Sequence, residues 1–310
     1  MSQSFPGSTD PLPVPRFTTY RSVVQRVREI GPNYVRVTLG GPELRDYECS
    51  GLAPKVKVFI PTDPASESPV PALGPSGFEY PVGTPTAVAR TYTVRAHRRN
   101  AGEVDIDFVV HAAGPGGRWA AGASEGDVIT ITNGSGSSLP QGVGTMLLVG
   151  DPSSLPAIMT IVESAGTAIS FSILLLADSA ADIVPLEPLA AGRSGWLLAS
   201  GSPGPGAVLA QRVVDYVRAE DVDYVWVAGE AYTIRDVRRV LRDIAGFTKA
   251  NSRVVGYWKK ASTADEYDRQ TLDRMRSAHL LDRDSNTHDL DELSVPDEAE
   301  EDMSATKQQR

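Results

Sequence analysis

The residues best suited to chemistry stand together at Arg90, Thr91, Tyr92, Thr93, Val94 and Arg95. Successive side chains of a strand point to opposite faces, so Arg90 and Tyr92 share one face and Thr93 takes the other. A flat ring bearing phosphates would use all three. The arginine fork pairs with phosphate oxygens, the tyrosine ring lies against a planar ligand, and the threonine hydroxyl reaches a ring nitrogen. A surface strand with an incidental arginine and tyrosine would look the same, so the surroundings decide. About twenty residues on, Asp107 to His111 end another strand and run into Gly114, Pro115, Gly116 and Gly117, followed by Arg118 and Trp119. A glycine-rich turn leading into a helical start at Trp119 and Ala120 offers backbone N–H groups to an anion. His111 by itself also fits an ordinary hydrogen-bonded histidine at a strand end.

A second group of candidates follows in the later half of the chain. Gly150 and Asp151 end an apolar strand, Ser153 and Ser154 precede a helix that contains Pro156, and Gly229 and Glu230 repeat the strand-end arrangement. The G-x-G-x-x-G fingerprint is absent, so these residues alone do not identify a dinucleotide site. Helix capping accounts for Asp151 and Glu230 as well as direct cofactor contact does.

The elements that must position these residues fall into two kinds. Between Tyr20 and about Pro140 the pattern is of short strands: Val35, Val37 and Leu39 share a face, Val56, Val58 and Ile60 repeat the spacing, and Val104, Ile106, Phe108 and Val110 alternate with Asp105 and Asp107. Short alternating strands without long helices predict an antiparallel sheet closed into a barrel. The Pro-, Ser- and Gly-rich stretch from Pro61 to Pro85 reads as a long mobile loop between strands. After Gly144 strands and helices alternate. Met146–Gly150, Ser170–Ala177, Gly195–Ala199, Asp223–Ala228 and Arg253–Tyr257 read as strands, and Pro156–Ala165, Ala207–Ala219 and Thr233–Ala245 as helices. Several strands are apolar throughout, as strands covered on both faces are, which predicts a doubly wound parallel sheet. The expected division is a disordered N-terminus over 1–15, a barrel domain over 16–143, an α/β domain over 144–262, and a C-terminal helix with an acidic disordered tail over 263–310.

Bulk properties exclude several classes. The 310 residues suffice for two domains, each with its own core. The formal charge of −9 is concentrated beyond Asp282, which makes nucleic acid a poor partner. One cysteine, Cys49, rules out an internal disulfide and a cysteine-held iron–sulfur cluster, and the four histidines lack metal-ligand spacing. Met1 to Pro15 has neither a basic region nor an apolar run, and no apolar stretch nears the roughly twenty residues of a membrane span. A cytoplasmic monomer without membrane insertion is expected.

Taken in order, the motifs resemble the siderophore-interacting protein family, a branch of the ferredoxin-reductase-like flavoproteins, from about Val23 to Lys260. The family's Arg-x-Tyr-Thr strand appears as Arg90 to Thr93, its Asp-Phe-Val-x-His strand as Asp107 to His111, and its Gly-Pro-Ala-Ser-Arg-Trp-Ala turn as Gly114 to Ala120. Its Gly-Asp-x-x-x-Leu-Pro-Ala-Ile segment matches Gly150 to Ile158, its closing Gly-Tyr-Trp-Arg-Arg matches Gly256 to Lys260, and Trp226 to Glu230 with Arg235 match another recurrent stretch. The resemblance implies an FAD-binding β-barrel followed by an NAD(P)-binding α/β domain. It implies that Arg90 meets the FAD diphosphate, Tyr92 the isoalloxazine and Thr93 its N5 edge, with Asp107, His111, Gly114, Gly117, Arg118 and Trp119 around the phosphates and adenine. NADH or NADPH would approach between Gly150, Asp151 and Ser154 on one side and Gly229 and Glu230 on the other. Lys57, Lys259 and Lys260 match positions where the family places cations for an anionic ferric siderophore. The implied activity is electron transfer from NAD(P)H through FAD to a ferric siderophore, releasing Fe(II) for iron assimilation. Two departures bear on the acceptor: Asn133, Gly134 and Ser135 replace a turn of Gly-Pro-Arg type, and Gly117 replaces a serine. A flavin or ferredoxin-reductase-like enzyme with another acceptor, or a non-enzymatic flavin- or siderophore-binding protein, are the alternatives.

Overall fold

The computed structural model describes residues 18–63, 66–74, 77–110, 114–138, 141–184, 193–198, 204–244 and 246–259. His111, Lys260, the helix expected after Ala261, the acidic tail and the first fifteen residues lie outside them. The first half holds β1 (Thr19–Gly31), β2 (Tyr34–Gly40), β3 (Cys49–Ser50), β4 (Leu52–Pro61), β5 (Ala72–Gly74), β6 (Gly77–Glu79), β7 (Ala87–Arg98), β8 (Glu103–Val109), α1 (Pro115–Gly122), β9 (Val128–Thr132) and β10 (Gly134–Ser137). The order β4-β7-β8-β2-β1-β9, with β9 pairing back onto β4, closes six antiparallel strands into the expected barrel. Closure leaves no edge in this ring, and the short β10 and β3 extend the sheet from β4.

Alternation sorts the side chains as the sequence requires. Val104, Ile106 and Phe108 of β8 join Val37, Leu39, Val56, Val58, Ile129 and Ile131 inside the barrel. Their neighbours Asp105 and Asp107 point outward yet are also buried, because arginines from adjacent strands cover them. Arg36 grips both oxygens of Asp107 at 2.6 and 2.7 Å, and Arg98 holds Asp105 at 2.6 Å twice. Burial alone would raise the Asp105 carboxyl; the bonds from Arg98 and Thr38 outweigh it and hold the group below its ordinary value.

The stretch expected to be a long mobile loop is partly built. β5 and β6 form a two-stranded hairpin, Phe78 meets the Phe59 ring edge-on at 4.8 Å, and buried Ser68 donates to the Phe59 carbonyl. The sequence conceals this because the anchors are single residues among prolines, with no periodicity to reveal them.

The second half comprises β11 (Thr145–Gly150), α2 (Leu155–Ala165), β12 (Ser170–Ala177), β13 (Arg193–Leu198), α3 (Pro205–Ala219), β14 (Tyr224–Glu230), α4 (Ala231–Asp243) and β15 (Ser252–Trp258). Its five strands are parallel in the order β13-β12-β11-β14-β15. α3 and α4 cover one face through Leu209, Val213, Ile234, Val237 and Leu241, and α2 covers the other through Ile158 and Ile161. Barrel residues Tyr34 and Ala53 lie inside that second core, so the two halves meet along an apolar seam. Asn33 adds a 2.8 Å bond to Asp182 across it.

Candidate functional site

β7 carries the first set of candidates. Its register against β4 sets Arg90 opposite Val58, Thr91 opposite Lys57, Tyr92 opposite Val56 and Thr93 opposite Lys55. Partners in an antiparallel ladder share a face, so Arg90 and Tyr92 lie on the side of the buried valines, and Thr93 lies with Lys55 and Lys57 on the other. The Tyr92 ring packs on Phe108 at 4.4 Å, and Trp119 packs on the same Phe108 at 5.5 Å. Arg90 donates to the Ala89 carbonyl at 2.8 Å.

The glycine turn differs from the expected one. The helix begins at Pro115 rather than near Trp119, so Gly116 and Gly117 lie buried in its first turn. Proline is pre-shaped for that first position, which explains the early start. Gly116 is required there: a Cβ on it would come within 1.7 Å of the Tyr92 phenol oxygen and 2.8 Å of its ring carbon. Gly114 is the N-cap, no side chain caps the helix, and Arg118 is exposed beside this terminus. A cation, an aromatic plate and a helix N-terminus thus share one end of the barrel, a donor set that fits a flavin carrying a diphosphate. Asp107 is taken up by Arg36, so its part here is to hold β2 against β8 below the ring cluster.

Two bulges re-aim side chains around this strand. In β7 the register steps from Val94–Ile106 to Ala96–Asp105, leaving Arg95 as the extra residue. Its guanidinium reaches across to α2 and binds Glu163 at 2.9 and 2.6 Å, although its buried Nε has no partner. In β15 the register steps from Gly229–Gly256 to Glu230–Trp258, leaving Tyr257 as the extra residue. The Tyr257 phenol is hydrogen-bonded to Thr93, and burial pushes it well above its ordinary range.

Asp151 is the hub of the second set. Its Oδ1 accepts from the Ser153 N–H and hydroxyl, and its Oδ2 accepts from the Glu230 N–H at 2.7 Å and from Trp258 Nε1 at 2.8 Å. One buried carboxylate therefore ties together the ends of β11, β14 and β15. Glu230 caps α4 by accepting from the Thr233 N–H at 2.8 Å, and Ser154 Oγ bonds the Asp151 backbone. Both acids cap, and their carboxylates are engaged within the protein. Two glycines make room for the hub: a Cβ on Gly229 would lie 2.8 Å from Asp151 Oδ2, and one on Gly150 only 1.9 Å from Ser154 Oγ. β11 and β14 flank the point where strand order reverses, where open α/β sheets bind ligands.

Between the halves runs a cleft of about 240 Å³ lined by Leu52, Ser137, Met146, Tyr224, Trp226 and Arg253. A smaller recess shares Leu52, Trp226 and Arg253 with it and is lined also by Lys55, Ser135 and Tyr257. Burial, with Arg253 and Lys57 adding their charge, lowers the Lys55 ammonium from 10.5 to about 7. Lys57 lies two residues along β4 on the same face as Lys55, and Lys259 lies over the Tyr232 ring of α4 at 4.9 Å. Sequence reasoning missed Lys55, Arg253 and Tyr257. Period-two spacing was the available signal: Lys55 is two residues before Lys57, and Arg253, Val255 and Tyr257 alternate along one strand. Among the described residues no His, Cys, Asp or Glu cluster could hold a metal ion, and no helix is long and apolar enough to cross a membrane.

Compared with known proteins, residues 23–138 match the Siderophore-interacting FAD-binding domain family and residues 143–261 the Siderophore-interacting protein family. The ferric vibriobactin reductase ViuB of Vibrio cholerae is 27% identical over 245 residues, covering 78% of this chain and 90% of that protein. The NADPH-dependent ferric-chelate reductase of Escherichia coli is 28% identical over 241 residues, covering 76% and 91%. Among solved structures, a siderophore utilization protein from T. fusca superposes with a TM-score of 0.67 at 28% identity, covering 80% of this chain and 95% of that one.

Proposed function

Since the chain belongs to the siderophore-interacting family of FAD-binding proteins, we propose that it passes electrons from NADH or NADPH, through FAD, to a ferric siderophore in the cytoplasm. Bound FAD supplies the conversion from a two-electron donor to one-electron acceptors. Each nicotinamide gives up two electrons and each ferric iron takes one, after which the hard oxygen donors of the siderophore hold Fe(II) far less tightly. The relatives named for ferric reduction support the activity.

The remaining work belongs to the chain's own residues. Arg90, the α1 terminus at Gly114, Gly117 and Arg118, and Trp119 would hold the diphosphate and adenine portions of FAD, and Tyr92 its ring system. Thr93, hydrogen-bonded to the Tyr257 phenol, would meet the ring's N5 edge. Asp151 orients the nicotinamide pocket indirectly, by fixing the strand ends at Gly150, Gly229 and Glu230. The observation that carries the acceptor assignment is the cleft holding Lys55 and Arg253 next to Thr93 and Tyr257, since a cationic recess beside the redox edge suits an anionic iron chelate.

One observation favours a different acceptor. Ser135 pairs with Lys55 at the position where the resembled family turn carries an arginine, so this cleft holds one cation fewer. Anaerobic stopped-flow reoxidation decides between the readings. Ferric tris-catecholate or tris-hydroxamate should reoxidise the reduced protein faster than free flavin or a quinone does. The reverse order would reassign the acceptor, and failure of NADH and NADPH to bleach the flavin would remove the reductase reading.

A further inference from the structure

One aromatic plate is used by no step of the proposed reaction. Of the large apolar side chains exposed among the described residues, Val70, Val82, Leu198 and Tyr232, only Tyr232 is aromatic, at 46% exposure. Two partly buried cations stand over its ring, Lys259 Nζ at 4.9 Å and the Arg235 guanidinium carbon at 5.4 Å from the centroid. Arg235 lies one helical turn after Tyr232 on α4, and Lys259 follows the last residue of β15. The three therefore meet where the carboxyl ends of β14 and β15 reach the start of α4. The Asp151 hub fixes that corner from both sides, because its Oδ2 accepts from the Glu230 N–H, two residues before Tyr232, and from the Trp258 indole, next to Lys259. The acids on the first turns of α4 are engaged locally: Glu230 caps the Thr233 N–H, and Asp236 bridges to Arg239 at 3.3 Å.

This corner belongs to the carboxyl edge of the sheet, beside the reversal of strand order between β11 and β14. Dinucleotide sites of open α/β sheets sort their ligands by charge: an acid accepts from the ribose 2′-hydroxyl of NAD, whereas an arginine accommodates the 2′-phosphate of NADP. A flat ring with two cations over it matches a purine next to a phosphate. Tyr257, which bonds Thr93 at the proposed redox edge, is two residues before Lys259, about 7 Å at strand spacing, so one strand end serves both places.

We propose that Tyr232, Arg235 and Lys259 form the adenosine 2′-phosphate site of the pyridine nucleotide and make NADPH the preferred donor. The adenine rests against the Tyr232 ring, the Arg235 fork takes two phosphate oxygens, and the Lys259 ammonium supplies a second charge. The identity of the ligand rests on the reductase reading, which is what calls for a pyridine nucleotide.

Adenosine 2′,5′-bisphosphate separates the site from the chemistry, because it carries the distinguishing phosphate and no nicotinamide. In calorimetric titration of the flavin-loaded full-length protein at about 50 mM salt, it should bind about ten-fold more tightly than adenosine 5′-monophosphate, and the gap should narrow at about 0.5 M salt. Lys259→Glu and Arg235→Gln should each close most of that gap, whereas Tyr232→Ala should weaken both ligands and Tyr232→Phe should retain them. Visible absorbance of the bound flavin and a thermal melt check that each variant is folded. Equal binding of the two ligands by the wild type, or a gap that survives both charge substitutions, would overturn the proposal. In anaerobic stopped flow, the ratio of kcat/KM for NADPH over NADH should fall about five-fold or more in Lys259→Glu, and an unchanged ratio would overturn it as well. If the bisphosphate gap depends on Lys259 while neither nucleotide bleaches the flavin, the phosphate site stands and the reductase reading falls. If both nucleotides bleach the wild type equally well, the reductase reading stands and the phosphate site falls.

Discussion

Replacing Lys55 by Met should make the protein more stable at neutral pH, and the gain should shrink as pH rises. The ammonium titrates at 10.5 when exposed and at about 7 in the fold, chiefly because burial disfavours its charge. Below the folded value the lysine is protonated in both states and the full cost of enclosing the charge is borne. Between the folded and unfolded values the unfolded chain binds more protons, so stability rises with pH, by up to about 1.4 kcal/mol per unit. Carried in full, the shift makes the wild type gain about 3 kcal/mol between about pH 6.5 and about pH 9.5, and about 2 kcal/mol once the solvent access of an open cleft is allowed for. Met keeps most of the stem's apolar contact and does not titrate. Urea unfolding of both proteins at the two pH values measures the difference directly, and effects common to both cancel. A stability difference that is the same at both ends, or one that grows with pH, would refute the reasoning.

Arg90→Ala and Tyr92→Ala should purify nearly colourless or lose flavin on gel filtration, read by visible absorbance; full occupancy in either would remove that residue from the FAD site. Gly116→Ala should cost about 1–3 kcal/mol by pushing Tyr92 out of place, and less in a Tyr92→Phe background, where the atom nearest the added methyl is gone; additive effects in that cycle would contradict the close approach. Asp151→Asn exchanges a carboxylate accepting from four donors for an amide that opposes two of them, and should cost about 3 kcal/mol. It should also slow anaerobic bleaching by NADPH with flavin content intact, and an unchanged bleaching rate would deny Asp151 its positioning part. Glu163→Gln removes the counter-charge of a guanidinium only 10% exposed and should lower stability by about 1–2 kcal/mol, given that Glu163 is itself half-exposed; no change in a urea titration would show the pair to be idle.

Much of this architecture is written in periodicity. Val104, Ile106 and Phe108 alternate with acids because the barrel has an inside and an outside, and Leu147 to Val149 are apolar without a break because both faces of their sheet are covered. What stays hidden depends on one residue meeting another far along the chain. Nothing around Tyr257 announces Thr93, and Arg95 looks like the next residue of a regular strand until the bulge turns it toward Glu163. Pairing of β9 with β4, which closes the ring, likewise leaves no local trace. In the candidate site the residue types at Arg90, Tyr92 and Thr93 are legible, while the basic cleft is not. It is assembled from β4, β10 and β15, each contributing one or two side chains that alone look like solvated surface.

The apolar seam around Tyr34 and Ala53 has a bearing on how such proteins can be rebuilt. Because barrel residues sit inside one core of the α/β half, that core is incomplete without the barrel, and heat or denaturant should melt the two in one transition. Chimeras that trade one half for a homologue's would leave a hole or a collision at Gly31, where a Cβ would already press within 2.7 Å of Val184, unless Tyr34, Ala53, Ile158 and Val184 travel together. Recombination of this chain is therefore a matter of inheriting a boundary as well as two modules.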